Sequence, residues 1–322
     1  MKNDLKVAVI GASGIGMHHA RWHHLSGSDV VAFVGTSEAS CRATSARLHQ
    51  YFGFNGRAYT DVKQMLDEVQ PDIVDVCSPF EQHQKHAIMA MEAGCHVVCE
   101  KPLCWDLNKS LGEILSDGEA VVAAVKRMNR QFVLTAQYPA VVPIYRDFYT
   151  QVNGKWDRMD SLTMEMEVKG RKGSKSREDI WIDLASHPLS LVMGFLPGGK
   201  MDSVCCVIAE RENRASFDYV TDQGRCAVSF VLRDIDTGTP RRRFGVNDFL
   251  VDWSGYADAA GIYRARLSQG DHQVTCDDFL HILIAQFAAV VCGDGGQVVV
   301  SADDALLNLR YQIELLNRAE RP

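Results

Sequence analysis

Lys6-Val7-Ala8-Val9-Ile10-Gly11-Ala12-Ser13-Gly14-Ile15-Gly16 is the stretch that decides the fold. Its first five residues read as a short apolar strand, of the kind buried on both faces in a parallel sheet. The rest is a G-x-S-x-x-G turn that runs into a helix over 14–24. Small residues in such a turn let the backbone approach a pyrophosphate, and the free N–H groups of the following helix face its charge. Gly11, Ser13, Gly14, Ile15 and Gly16 are therefore candidate dinucleotide contacts. Ser13 stands at the second glycine position, where its hydroxyl can donate to a phosphate but its side chain must tolerate a close approach. The turn is weak alone and gains from the strand before it and the helix after it.

The same strand–helix rhythm continues outward. Strands are predicted at 6–10, 29–34, 73–77, 96–99 and 120–125, with helices at 14–24, 37–52, 61–68, 82–93 and 107–117. Gly94 sits where a helix C-cap belongs, and Pro71 stops a helix before the next strand. Alternation of this kind predicts an α/β Rossmann domain over 1–125, a doubly wound parallel sheet. An acid at the end of the second strand would bind a ribose 2′-hydroxyl. That position is Gly35, followed by the small donors Thr36 and Ser37, with Arg42 on the next helix. A site without the carboxylate no longer repels a 2′-phosphate, so NADP is favoured over NAD. Glu38 is the opposing feature, since it lies close enough in sequence to bind the ribose instead.

Two more strand ends carry chemistry. Cys77-Ser78-Pro79 closes the strand at 73–77, and His83 opens the helix after it; all four are assigned to the cofactor edge. Val97-Val98-Cys99-Glu100-Lys101-Pro102-Leu103 places a lysine directly after a buried-looking strand. Loops at strand carboxyl ends carry function, and a partly desolvated lysine can take or give a hydroxyl proton.

Beyond 125 the rhythm changes. Helices are predicted at 138–152 and 184–195, strands at 160–169, 203–211, 215–221, 225–233, 242–253 and 262–268, and closing helices at 277–291 and 301–318. This describes a second α+β domain, 126–322, with a large open and mainly antiparallel sheet; its last helix is free to pack back on the first domain. Both sheet faces read as partly apolar, which predicts a homodimer or homotetramer. Asp183 and His187 are four residues apart, so they share one side of a helix. The histidine can polarise or deprotonate a hydroxyl, and the aspartate can orient it. The basic segment 169–177 reads as a solvated loop. His18-His19 and His23-His24 resemble a metal group, but a metal on the first helix would compete with its packing on the sheet, and none is expected.

The chain has 322 residues and a net charge of -7, with no strongly basic face, which argues against nucleic acid as a partner. No apolar run is long enough for a membrane span, and the N-terminus lacks an apolar signal region. The 10 cysteines form no C-x-x-C pair and read as reduced thiols of a cytoplasmic protein.

Pro71-Asp72-Ile73-Val74, Ser78-Pro79, His83, His86-Ala87, Ala90, Ala93-Gly94, His96-Val97 and Glu100-Lys101-Pro102-Leu103 together resemble the Gfo/Idh/MocA oxidoreductases. The resemblance implies a Rossmann domain, a second domain with an open sheet used for substrate and oligomer contacts, and a nicotinamide cofactor. It makes Lys101 the catalytic lysine of an E-K-P motif, Glu100 a cofactor contact, Pro102 a proline often cis, and Asp183 and His187 the D-x-x-x-H pair. Ala185, Ser190, Ser13 and Gly35 depart from common family residues, and Ser190 puts an inositol-like substrate in doubt. The expected function is interconversion of a secondary alcohol and a ketone on a sugar, cyclitol or sugar derivative. Reduction of a C=N bond in a specialised metabolite is the alternative. A non-catalytic dinucleotide sensor is the third reading, disfavoured because Lys101 and His187 are both present.

Overall fold

A computed structural model describes residues 4–169 and 177–322, so all but the ends of the basic segment lie outside the described residues. The chain forms two compact units. One runs to Gln137 and takes in Leu280–Leu309; the other comprises Tyr138–Phe279 and Arg310–Pro322.

The first unit opens β1 (Lys6–Ile10), α1 (Ile15–Leu25), β2 (Asp29–Val34), α2 (Glu38–Phe52), β3 (Arg57–Tyr59) and α3 (Val62–Val69). It continues β4 (Ile73–Val76), α4 (His83–Glu92), β5 (His96–Cys99), α5 (Leu111–Met128) and β6 (Phe132–Leu134). The strands form one parallel sheet in the order β3-β2-β1-β4-β5-β6. Their order reverses between β1 and β4, and such a switch point is where open α/β sheets bind ligands. β4 is buried at every position, as a central strand covered on both faces must be.

The strand expected at 120–125 is instead the second half of α5. Val121, Val122 and Ala124 are β-formers or small residues by type, but the buried positions Ile114, Gly118, Val121, Val122 follow a helical period. Ser110 and Glu113 form a capping box that starts this helix ten residues earlier than a strand at 120 allows. The outer strand is therefore β6, and the unit extends past 125 to Gln137. β3 is three residues long and carries no alternation that sequence could show.

The second unit contains α6 (Val142–Asn153), β7 (Ser161–Lys169), α7 (Asp179–Leu184), α8 (Ser186–Phe195), β8 (Lys200–Ile208), β9 (Glu212–Thr221) and β10 (Gly224–Ile235). β11 (Arg242–Val246), β12 (Phe249–Ala257), β13 (Tyr263–Gln269) and β14 (His272–Asp277) complete its sheet, and α9 (Phe279–Cys292) and α10 (Ala302–Asn317) follow. The sheet runs β14-β13-β12-β11-β7-β10-β9-β8, antiparallel except where β7 pairs with β10. A turn at 247–248 splits the single strand expected over 242–253.

Only one face of this sheet is apolar. Met164, Phe217, Phe230, Leu232 and Phe244 are buried on it. The other face alternates outward with Glu165, Glu167, Arg233, Arg243 and Asp252, tied by pairs such as Arg243–Asp252 at 3.0 Å and Arg233–Glu212. The apolar runs that made both faces look greasy obey the period-two alternation of a half-buried strand. Among the described residues no helix is long and apolar enough to cross a membrane.

Candidate functional site

The predicted turn forms at the carboxyl end of β1. Gly11 has φ +92, and a Cβ there would lie 2.6 Å from the Cys77 carbonyl oxygen. A Cβ at Gly16 would lie 2.5 Å from the Gly11 oxygen. These two glycines thus seat α1 against β1 and β4. Around Gly14 nothing lies within 4 Å of a Cβ, and Ser13 and Ile15 are exposed. α1 starts with no side-chain cap and no acid in its first turn. By contrast α2, α3 and α5 begin on the side chains of Ser37, Asp61 and Ser110. An open cradle beside uncapped N–H groups fits the diphosphate of a dinucleotide.

At the end of β2 the structure gives the predicted residues different duties. Ser37 accepts from Ser40 N and caps α2, so its hydroxyl belongs first to the helix start. Thr36 Oγ1 lies 3.3 Å from Ser40 Oγ. Arg42 reaches Glu38 at 3.7 Å, and both are highly exposed. Gly35 is tightly packed: a Cβ there would meet Cys41 Sγ at 2.8 Å.

Across the switch point, Ser78 Oγ lies 2.9 Å from His86 Nδ1. His83 is 2% exposed, with its ring nitrogens 2.8 Å from the Pro102 carbonyl and 2.9 Å from the Ser78 carbonyl. It bridges the turn after β4 and the turn after β5 from beneath. Burial lowers its pKa, against the pull of those carbonyls and Glu100. Lys101 is half-buried and joined to Pro102 by a cis peptide.

Sequence reasoning missed what lies beneath this turn. Asp75, in the middle of β4, is fully buried. It accepts from His19 Nδ1 at 2.9 Å, His23 Nε2 at 2.8 Å and Cys77 Sγ at 3.2 Å. His19 Nε2 reaches the Glu100 carboxylate at 3.1 Å, and Thr135 donates to that same carboxylate. Burial pushes His19 down, but Asp75 and Cys77 outweigh it and hold the imidazole well above 6.5. Burial pushes Asp75 up, and His19 with His23 overcome it to hold the carboxyl far below its usual range. Glu100 is likewise opposed by burial and lowered to about 2 by His19, Lys101 and Thr135. An isolated buried charge costs several kcal/mol, so these groups persist only as a set. Two signals could have found it: an aspartate inside an otherwise apolar strand, and His19 with His23 one turn apart on α1. Donor atoms of His19, Asp75 and Cys77 lie within 4.8 Å of one another, a spacing a metal can use, but each is already engaged inside the cluster.

In the second unit, Asp183 lies in the last turn of α7 and His187 in the first turn of α8. Ala185 between them keeps helical angles, φ -64 and ψ -25, so the one-turn spacing is preserved. His187 is 7% exposed, and the Tyr138 ring meets it edge-on at 5.3 Å. Ser186 Oγ, next to it, accepts from Gln312 at 3.2 Å.

Residues 5–135 match the model of an oxidoreductase family with an NAD-binding Rossmann fold. D-glucoside 3-dehydrogenase of Escherichia coli (strain K12) is 35% identical over 126 residues, 35% of this chain and 34% of that protein. D-apiose dehydrogenase of Paraburkholderia graminis is 32% identical over 197 residues, 58% of this chain and 48% of that protein. The chain thus spans between a third and a half of the length of these two curated relatives. Among solved structures, myo-inositol 2-dehydrogenase from Lactobacillus plantarum superposes with a TM-score of 0.74 at 17% identity, covering 98% of this chain and 97% of that one. This likeness shows the fold alone.

Proposed function

We propose that the protein, whose residues 5–135 match an oxidoreductase family with an NAD-binding Rossmann fold, is a nicotinamide-dependent dehydrogenase of the Gfo/Idh/MocA kind. It interconverts a secondary alcohol and a ketone on a sugar, cyclitol or sugar derivative. The observation that carries the reading is the meeting of two features at one sheet end. An open glycine cradle follows β1, and Lys101 follows β5 two strands away in the same parallel sheet. A bound nicotinamide supplies or takes the hydride. Gly11, Ser13, Gly14, Ile15 and Gly16 hold the diphosphate, and Glu100 and the 77–79 turn border the nicotinamide end. Lys101 moves the hydroxyl proton, His187 shares that work, and Asp183 orients His187 or substrate. The two relatives named above by sequence, with glucoside and apiose in their names, support the substrate class. Lack of an acid at Gly35 and the presence of Arg42 support NADP over NAD. Ten free cysteines, most of them buried, support a cytoplasmic setting.

A cofactor-fluorescence screen against sugars, polyols and imines tests the reading. Oxidation of a polyol or sugar with cofactor reduction is the expected result. Turnover of imines alone moves the protein to C=N reduction, and cofactor binding without any turnover makes it a sensor.

A further inference from the structure

The buried cluster under the cofactor turn has a direction that its hydrogen bonds make explicit. It starts at Asp75 in the sheet interior, passes through both ring nitrogens of His19, and ends on the Glu100 carboxylate. Glu100 is the residue immediately before Lys101. Charges alternate along this line: Asp75 negative, His19 positive, Glu100 negative, Lys101 positive. An imidazole with one carboxylate on each nitrogen donates from both, which requires the protonated ring. We propose that His19 is a positioning residue for Lys101: anchored by Asp75, it fixes the Glu100 carboxylate and so sets how much of that negative charge the lysine feels.

The inference rests on the assignment of Lys101 as the acid–base group. Other groups face the line and must be counted. Cys77 and His23 act on Asp75, Thr135 donates to Glu100, and His83 lies near enough to Lys101 to feel its charge. None of these bridges Asp75 to Glu100; His19 alone among the described residues does. His23 shows the contrast, because it binds Asp75 from the same helix but makes no contact with Glu100. The placement also gives His19 a duty that mere filling would not need, since a methionine or leucine would pack as well between α1 and β4 if Asp75 were apolar.

Two substitutions should move the lysine in opposite senses. His19→Gln keeps a donor but removes a positive charge, so Lys101 faces a less neutralised Glu100 and holds its proton more tightly. Glu100→Gln removes the negative charge itself, so Lys101 releases its proton more readily. The measurement is the pH dependence of Lys101 acylation in the full-length protein, read by quantitative peptide mapping and independent of turnover. Below the lysine pKa, labelling at fixed pH should slow about 3–10-fold in His19→Gln and speed up in Glu100→Gln, a shift of about 0.5–1 pH unit. The alkaline-going limb of the kcat/KM profile for alcohol oxidation should move the same way. Shifts of equal sign, or unchanged labelling in variants that melt cooperatively, overturn the proposal. Should Lys101→Ala turn over normally while the labelling shifts occur as expected, the proton-transfer reading fails and the electrostatic link to Lys101 stands.

Discussion

Gly16 and Gly112 occupy the same place, the second residue of a helix, in α1 and α5. Replacing either by alanine should act in opposite directions. Alanine loses less backbone entropy on folding than glycine, which favours Gly112→Ala by up to about 1 kcal/mol. Nothing lies within 4 Å of a Cβ at Gly112, so no steric term opposes this gain. At Gly16 the new Cβ would stand 2.5 Å from the Gly11 carbonyl oxygen and 3.0 Å from the Cys77 Cβ. A backbone oxygen cannot rotate out of the way, so α1 must lift from β1 and β4. Overpacking of this kind costs about 1–3 kcal/mol, more than the propensity gain. The propensity gain is common to both variants, so they should differ by the overpacking cost, about 1–3 kcal/mol in urea-unfolding free energy, with Gly16→Ala the weaker. Since α1 carries the cradle, Gly16→Ala should also weaken cofactor binding, while Gly112→Ala should leave it alone. Equal stabilities of the two variants would refute the claim that α1 is seated by the absence of a side chain at Gly16.

Lys101→Ala should cut turnover by about 10²–10⁴ while fluorescence titration still shows cofactor binding; near-normal turnover removes the lysine from proton transfer. NADPH should bind more tightly than NADH, and Arg42→Ala should narrow the gap; Gly35→Asp should push preference toward NAD only when Cys41→Ala makes room for it. Asp75 and Glu100 are held low, so they contribute stability above about pH 4.5 that fades as pH falls through their native pKa values; His19 is held high, so its contribution is complete below 6.5 and fades as pH rises through its native value. Melting temperature should therefore decline on both sides of that window, and His19→Gln should abolish the alkaline decline; a wild-type curve that is flat from pH 6 to 9 counts against a protonated His19. Light scattering at micromolar concentration should return a dimer or tetramer, assembled through the sheet of the second unit as a polar, ion-paired interface; a strictly monomeric mass means that face is solvated.

The turn after β1, the place of Lys101 after β5 and the one-turn spacing of Asp183 and His187 were legible because each depends on residues close in sequence. β1, β2 and β5 begin and end where the apolar runs do. Legibility failed where one residue type serves two structures. The Val121-Val122 run suits a strand by composition, and only the capping box at Ser110 and Glu113, with burial repeating every three to four residues, makes it helix. It failed again where meaning depends on contacts distant in sequence. The sequence places His83 after β4, but not its bond to the Pro102 carbonyl, nineteen residues on. Asp75 and His19, 56 apart, could only be paired once α1 was laid across β4.

Completion of the first unit waits for the last part of the chain to be made. Gly118 in α5 is small where Leu306 and Leu309 press in; a Cβ there would lie 2.7 Å from Leu309. Leu134 N donates to the Val300 carbonyl at 3.0 Å, and the Trp22 ring stacks on His281 at 4.9 Å. During synthesis the segment up to Gln137 would emerge with those surfaces bare and remain so while some 140 further residues are translated, about 7–28 s at 5–20 residues per second. Contacts of such long range are slow to close. A nascent chain stalled before Leu280 should therefore be a ready client for a chaperone that shields apolar surface, and the nucleotide domain should not be separable by cutting the gene after Gln137.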